Sequence, residues 1–135
     1  MNKYCTSADY GIVDNKTVLE LVDDAANANW GGDWRMPTID DCQELIDNCT
    51  WTLCTMSNMD GYKVTGLNGN YIFLPFAGYR TIDSFYNAAS YGRYWSSSLG
   101  TDYTYSAQYL NFYSDNVGTN IATRGTGHPV RAVHP

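Results

Sequence analysis

The sequence predicts a single α+β domain over residues 1–135, with two helices, a small mainly antiparallel sheet and long loops. Three observations predict it. Stretches with helical spacing come first, before residue 50, and strand-like segments separated by turn signals come after it. With 135 residues the chain can bury one modest core and would be cramped as two domains. Hydrophobic residues make up 44%, enough to drive folding.

The first helix is expected to start at Thr17 as N-cap. Val18, Val22, Ala25 and Asn29 then recur at helical spacing, and Gly31-Gly32 ends the run. The second follows Pro37. Thr38 and Asp41 approximate a capping box, with Asp for the usual Glu, and Ile39, Cys42, Leu45, Ile46 and Cys49 form the apolar stripe. Asp40 and Asp41 lie in the first turn, where they favour the helix dipole. Tyr62–Thr65 and Tyr71–Leu74 read as a hairpin around Asn68-Gly69, with Pro75 as the stop. Gly78 to Gly92 reads as a loop, and Tyr94–Ser96 as a strand. Gln108–Tyr113 alternates: Leu110 and Phe112 point one way, and Tyr109, Asn111 and Tyr113 the other. Val130–Val133 closes the chain as a last strand.

Charge excludes some functions. Only 16% of residues are charged and the net charge is −6, which argues against nucleic-acid binding. Residues 1–60 hold eleven acids and three bases, and residues 61–135 hold three acids and five bases, so the two halves present different surfaces. No apolar run is long enough for a membrane helix, so no direct insertion is expected. No signal peptide is legible at the Met1 end. The chain is therefore read as cytoplasmic or as a piece of a longer secreted protein.

The four cysteines are Cys5, Cys42, Cys49 and Cys54. None forms a CxxC pair and only His128 and His134 join them, which disfavours structural zinc. Cys42 and Cys49 share a helix face about 10 Å apart, a spacing that is more often core than disulfide, and the redox state is left open. Pairings of Cys49 with Cys54, or of Cys5 with another, stay open. Ser96–Ser98 with His128 and Asp102 do not make a hydrolase triad, because no GxSxG elbow surrounds the serines. Asp23, Asp24, Asp33, Asp40 and Asp41 lack EF-hand spacing and read as solvated helix ends. Arg35 and Arg131 read as structural ion-pair partners.

The tail is the informative region. From Leu99 to Pro135 there is no Lys, Glu, Met, Trp or Cys, whereas the first 98 residues hold thirteen Lys, Glu, Met and Trp. Tyr with Ser, Gly and Asn is the composition of antibody loops: Tyr gives area at low entropic cost, and the small polar residues give adaptable hydrogen bonds. An ordinary Tyr-rich β surface would look similar on composition alone.

A resemblance rests on these residues. Asn29-Trp30-Gly31-Gly32-Asp33-Trp34-Arg35-Met36-Pro37-Thr38 resembles the WGGxWRMPT signature of the FISUMP-type domains of gut bacteria. Asn48–Trp51, Gly61–Gly66, Asn68–Asn70, Ile72–Pro75, Ala77–Arg80, Tyr94–Ser98 and Val130–Val133 follow in the same order. The likeness spans nearly the whole chain and implies a C-type-lectin-like fold. The chain departs from it in lacking the usual N-terminal hairpin, in Cys42 and Cys54, and in His128-Pro129 ahead of the last strand.

Part of that family serves as variable proteins of diversity-generating retroelements. In these a reverse transcriptase mutates adenines, chiefly in AAC or AAT codons, which cannot yield Lys, Glu, Met or Trp. The resemblance thus implies a variable region over residues 93–128. The scaffold in the tail is, by this resemblance, Trp95, Ser96, Ser97, Leu99, Ala107, Leu110, Phe112, Ser114, Val117, Arg124, Gly127, Val130 and Arg131. Its ligand-binding surface is Arg93, Asp102, Tyr103, Tyr105, Ser106, Tyr109, Tyr113, Gly118, Asn120, Ile121, Thr123, Thr126 and His128, with Gly100, Gly125 and others alongside. Gln108 is not reachable from such codons and reads as fixed.

The implied function is a non-enzymatic display domain that binds a protein or glycan through its Tyr-rich C-terminal surface. It would sit outside the cell or on its surface, as an adhesin-like part of a longer surface protein or pilus. The alternative is an invariant structural domain of such an assembly. An enzyme of the formylglycine-generating type needs a reactive cysteine pair near the C-terminus, and here the last cysteine is Cys54. No cofactor is implied. Calcium is left open, with no ligand set legible.

Overall fold

Helix α1 spans Ala25–Trp30 and α2 spans Ile39–Asn48. Three antiparallel sheets follow: β1 (Thr50–Met56), β2 (Met59–Thr65) and β3 (Tyr71–Pro75); a ribbon of β4 (Tyr79–Arg80) and β5 (Phe85–Tyr86); and β6 (Tyr91–Leu99), β7 (Ser106–Tyr113) and β8 (Asn116–Thr123). This computed structural model describes residues 3–135; Met1 and Asn2, at the end where no signal peptide is legible, lie outside the described residues. The α+β class with two helices and small antiparallel sheets is as the sequence predicts.

Helix α2 forms where local signals place it. The Thr38 hydroxyl accepts the Asp41 amide and the Asp41 carboxylate accepts the Thr38 amide, so the capping box is complete. Arg35 Nη1 donates to the same Asp41 carboxylate at 2.6 Å and holds its pKa below the usual carboxylate range. Helix α1 starts later than expected. Residues 17–19 are extended against β6, where the Leu19 amide reaches the Ser97 carbonyl and Leu99 N–H reaches the Thr17 carbonyl. Tertiary pairing overrides the helical spacing there. The N-cap is instead buried Asp24, whose carboxylate accepts the amides of Ala26, Asn27 and Met36.

The hairpin around Asn68-Gly69 forms as expected, with Gly69 at φ +80°. Its partner β1 carries weaker signals and turns into β2 through Ser57 and Asn58, both at positive φ. Two expectations are corrected. The stretch from Gly78 to Gly92 holds the β4–β5 ribbon and the start of β6, and a Cβ at Gly78 would lie 2.4 Å from the Tyr86 carbonyl. Val130–Val133 makes only a bridge from Val133 to Arg35, because Pro129, lacking an amide, contributes its carbonyl alone.

The core lies between α2, the β1–β3 sheet and one face of the β6–β8 sheet. Cys42, Tyr62, Val64, Leu74, Phe76, Tyr94, Leu110 and Phe112 form it. Phe112 is 0% exposed and meets the rings of Trp51, Tyr62, Phe76 and Tyr94 at centroid distances of 5.6–5.8 Å. The buried tyrosine hydroxyls are satisfied: Tyr62 donates to the Tyr113 carbonyl and Tyr94 to the Pro75 carbonyl. All four cysteines are free thiols, and burial pushes Cys42 up to about 12.

Strand β6 organises the rest. One edge pairs with β7. The other is covered by four separate pieces of chain. Gly78 N–H reaches the Tyr91 carbonyl, Trp95 N–H the Pro129 carbonyl, Ser97 N–H the Pro37 carbonyl, and residues 17–19 pair beyond it. The register with β7 shifts between Trp95 and Leu99, a bulge that turns Ser96–Ser98 inward. These serines bond backbone: Ser96 Oγ donates to the Gln108 carbonyl and Ser98 Oγ accepts the Ile39 amide.

Candidate functional site

Ladder partners share a sheet face, so the register assigns the tail residues. Tyr91, Arg93 and Trp95 on β6 lie beside Tyr113, Asn111 and Tyr109 on β7, and these beside Asn116, Gly118 and Asn120 on β8. This is the face opposite Phe112 and Leu110, as the alternation predicts.

On that face the side chains form an aromatic cluster around one cation. The Arg93 guanidinium lies 3.9 Å from the Tyr79 ring centroid, 5.5 Å from Tyr109 and 5.8 Å from Tyr91. Tyr79 stacks on Tyr86 at 5.5 Å, and Tyr91 meets Tyr113 at 5.1 Å. His128 is sandwiched: its ring stacks on Trp95 at 4.1 Å and takes Tyr109 edge-on at 4.6 Å. Among the described residues, Arg93 Nε, Asn111 Oδ1 and both His128 ring nitrogens are buried without a hydrogen-bond partner. That is unusual, since native proteins satisfy nearly all such atoms. Burial first, and the Arg93 charge second, lower the His128 pKa to about 4. Burial also raises Tyr109, against the opposing influence of Arg93.

The thirteen residues assigned to the ligand surface fall into three groups. Arg93, Tyr109, Tyr113, Gly118, Asn120 and His128 share this face. Asp102, Tyr103, Tyr105 and Ser106 lie at the β6–β7 connection, where Tyr103 stacks on Tyr105 at 5.3 Å and Tyr10 meets Tyr105 at 5.9 Å. Ile121 and Thr123 pair with Gln108 and Ser106, which puts them on the opposite side of β8, and Thr126 bonds Thr123.

Exposure corrects three of them. Tyr109 is 3% exposed, His128 9%, and Ser106 is buried with its hydroxyl donated to the Tyr103 carbonyl. Alternation tells which side of a sheet a residue takes, not whether that side is wet. Residues 127–129, tied to Arg80 and to Trp95, bring His128 down over Tyr109. Of the four tyrosines assigned to the ligand surface, Tyr103 and Tyr105 are open, at 53% and 38%, and Tyr113 is half-buried. The tyrosines therefore form two patches rather than one.

Sequence reading missed Tyr79, Tyr86, Tyr91 and Asn111, and assigned Trp95 to the scaffold. A period-two pattern at Tyr91, Arg93 and Trp95 carries the β6 part of this face. Tyr79 and Tyr86 reach it through the β4–β5 ribbon, which no local signal announces.

Other features are quieter. An open groove of about 610 Å³ runs between Trp30, Trp34 and residues 130–134, and none of the thirteen candidates lines it. Among the described residues no group of three or more His, Cys, Asp or Glu could hold a metal ion, and no helix is long and apolar enough to cross a membrane. No family model, curated protein or solved structure matches the chain.

Proposed function

We propose that this chain is a ligand-binding display domain of C-type-lectin-like type, which binds a protein or glycan at the cell surface through tail-encoded residues. The observation that carries this reading is the division between the two faces of the β6–β8 sheet. Leu110 and Phe112 are locked into the core, while the opposite face gathers half-exposed Tyr91, Arg93 and Tyr113 with exposed Asn120. Substitutions on such a face change recognition more than folding. Aromatic and Arg residues on a rigid strand are the usual anchors of a recognition surface. The serines of β6 are engaged with backbone, and His128 lies between two rings.

The composition of residues 99–135, with no Lys, Glu, Met or Trp, supports diversification by adenine mutagenesis. Sequencing the DNA around the coding region tests this. A near-copy of the tail's DNA that differs at adenines, beside a reverse transcriptase, is expected. A genome with neither assigns the chain to the invariant structural alternative.

A further inference from the structure

The aromatic face holds a cation with no counterpart. Among the described residues Arg93 makes no hydrogen bond and no ion pair. Only its Nε is sealed from solvent. The two terminal nitrogens are unbonded and reach the surface of a half-buried side chain. The guanidinium is held in place, since Tyr79 lies under it at 3.9 Å and Tyr109 and Tyr91 flank it. A fixed, planar, unpaired guanidinium matches one group best, a carboxylate taken end-on by two parallel N–H donors. Around it stand half-exposed Tyr91 and Tyr113, exposed Tyr86, and the amides of Asn116 and Asn120. Flat ring faces suit the C–H face of a sugar, and the amides suit its hydroxyls. The surrounding half of the chain is the less acidic one, with three acids and five bases from residue 61 onward.

We infer that this face binds an acidic sugar, whose carboxylate pairs with the Arg93 terminal nitrogens while its ring packs against Tyr91 and Tyr113. The inference rests on the display-domain reading and names the ligand class for that surface. Tyr79 is a positioning residue, because it acts through Arg93.

The test follows the Arg93 Nε–H and the tyrosine ring signals by NMR in the full chain. D-glucuronate, D-galacturonate and N-acetylneuraminate are titrated, with methyl glucoside, acetate and hexaglutamate beside them. At least one acidic sugar is expected to give saturable shifts at Arg93, Tyr91 and Tyr113, at least tenfold tighter than methyl glucoside or acetate. R93Q should abolish the binding with the amide spectrum otherwise intact, and R93K should weaken it, because an ammonium cannot present the fork. Y79A should weaken binding while leaving the Tyr113 shifts in direction unchanged. Absence of saturable shifts with all three sugars overturns the inference, as does equal binding by R93Q. Tighter binding of hexaglutamate at the same residues overturns it in favour of an acidic protein partner. A near-copy DNA repeat found alongside any of these negative results keeps the display reading and removes only the sugar.

Discussion

Phe112 and Tyr109 lie three residues apart on β7, on opposite faces, and both are buried. Their surroundings differ in kind. Phe112 meets four rings, and the polar groups near it are satisfied. Tyr109 meets Trp95, His128 and the Arg93 guanidinium, beside four polar atoms that have no hydrogen-bond partner among the described residues. The first environment maximises stability. The second leaves interactions unmade, the usual signature of a surface shaped for something besides folding. Burial is common to the two positions; hydrogen bonding among the described residues is what differs.

The largest effects are expected on the Phe112 side. Phe112→Ala should destabilise the domain by about 3–5 kcal/mol in a denaturant titration, through lost transfer energy and a cavity. Gly92→Ala tests the same side from the strand opposite. Its Cβ would fall 2.0 Å from the Phe112 ring, so the ring or the strand must move. A melting temperature depressed about as much as in Phe112→Ala is the expected result, and a neutral outcome would mean that this side is not tightly packed.

On the Tyr109 side the response is to pH. The folded His128 pKa of about 4 lies below the unfolded 6.5, so the unfolded state takes up the proton first as pH falls. Stability is full above pH 6.5 and declines between 6.5 and about 4 by about 2–3 kcal/mol. His128→Phe keeps a ring against Trp95 and removes the titrating group. It should flatten the profile in that window, and an unchanged slope there would show that another group carries it. The smallest effect belongs to the loop patch. Tyr103→Ala with Tyr105→Ala should shift stability by less than about 1 kcal/mol, as for exposed residues generally.

Legibility in the sequence followed the range of the interactions. Helix α2 was readable because its cap and stripe lie within twelve residues. Leu110 and Phe112 were readable because alternation is local to a strand. The start of α1 was not, because residues 17–19 are taken up by a strand some eighty positions away. The same holds at the candidate site. Composition singled out the tail, and its Tyr113 and Asn120 do share a face with Arg93. The covering of Tyr109 by His128 depends on where residues 127–129 dock, and the seat of Arg93 depends on Tyr79, outside the tail altogether. Neither leaves a mark in the residues next to it.

The seam along the free edge of β6 has a consequence for how the molecule comes into being. Its carbonyls and amides are met by residues near positions 17, 37, 78 and 129, so the zipper cannot close until Pro129 has emerged from the ribosome. From the emergence of β6 until residue 129 follows it, a nascent chain therefore carries a strand whose edge is only partly met. Maturation should be slow, as for other topologies dominated by distant contacts, and the seam's amides should be the last to gain protection in pulsed hydrogen exchange.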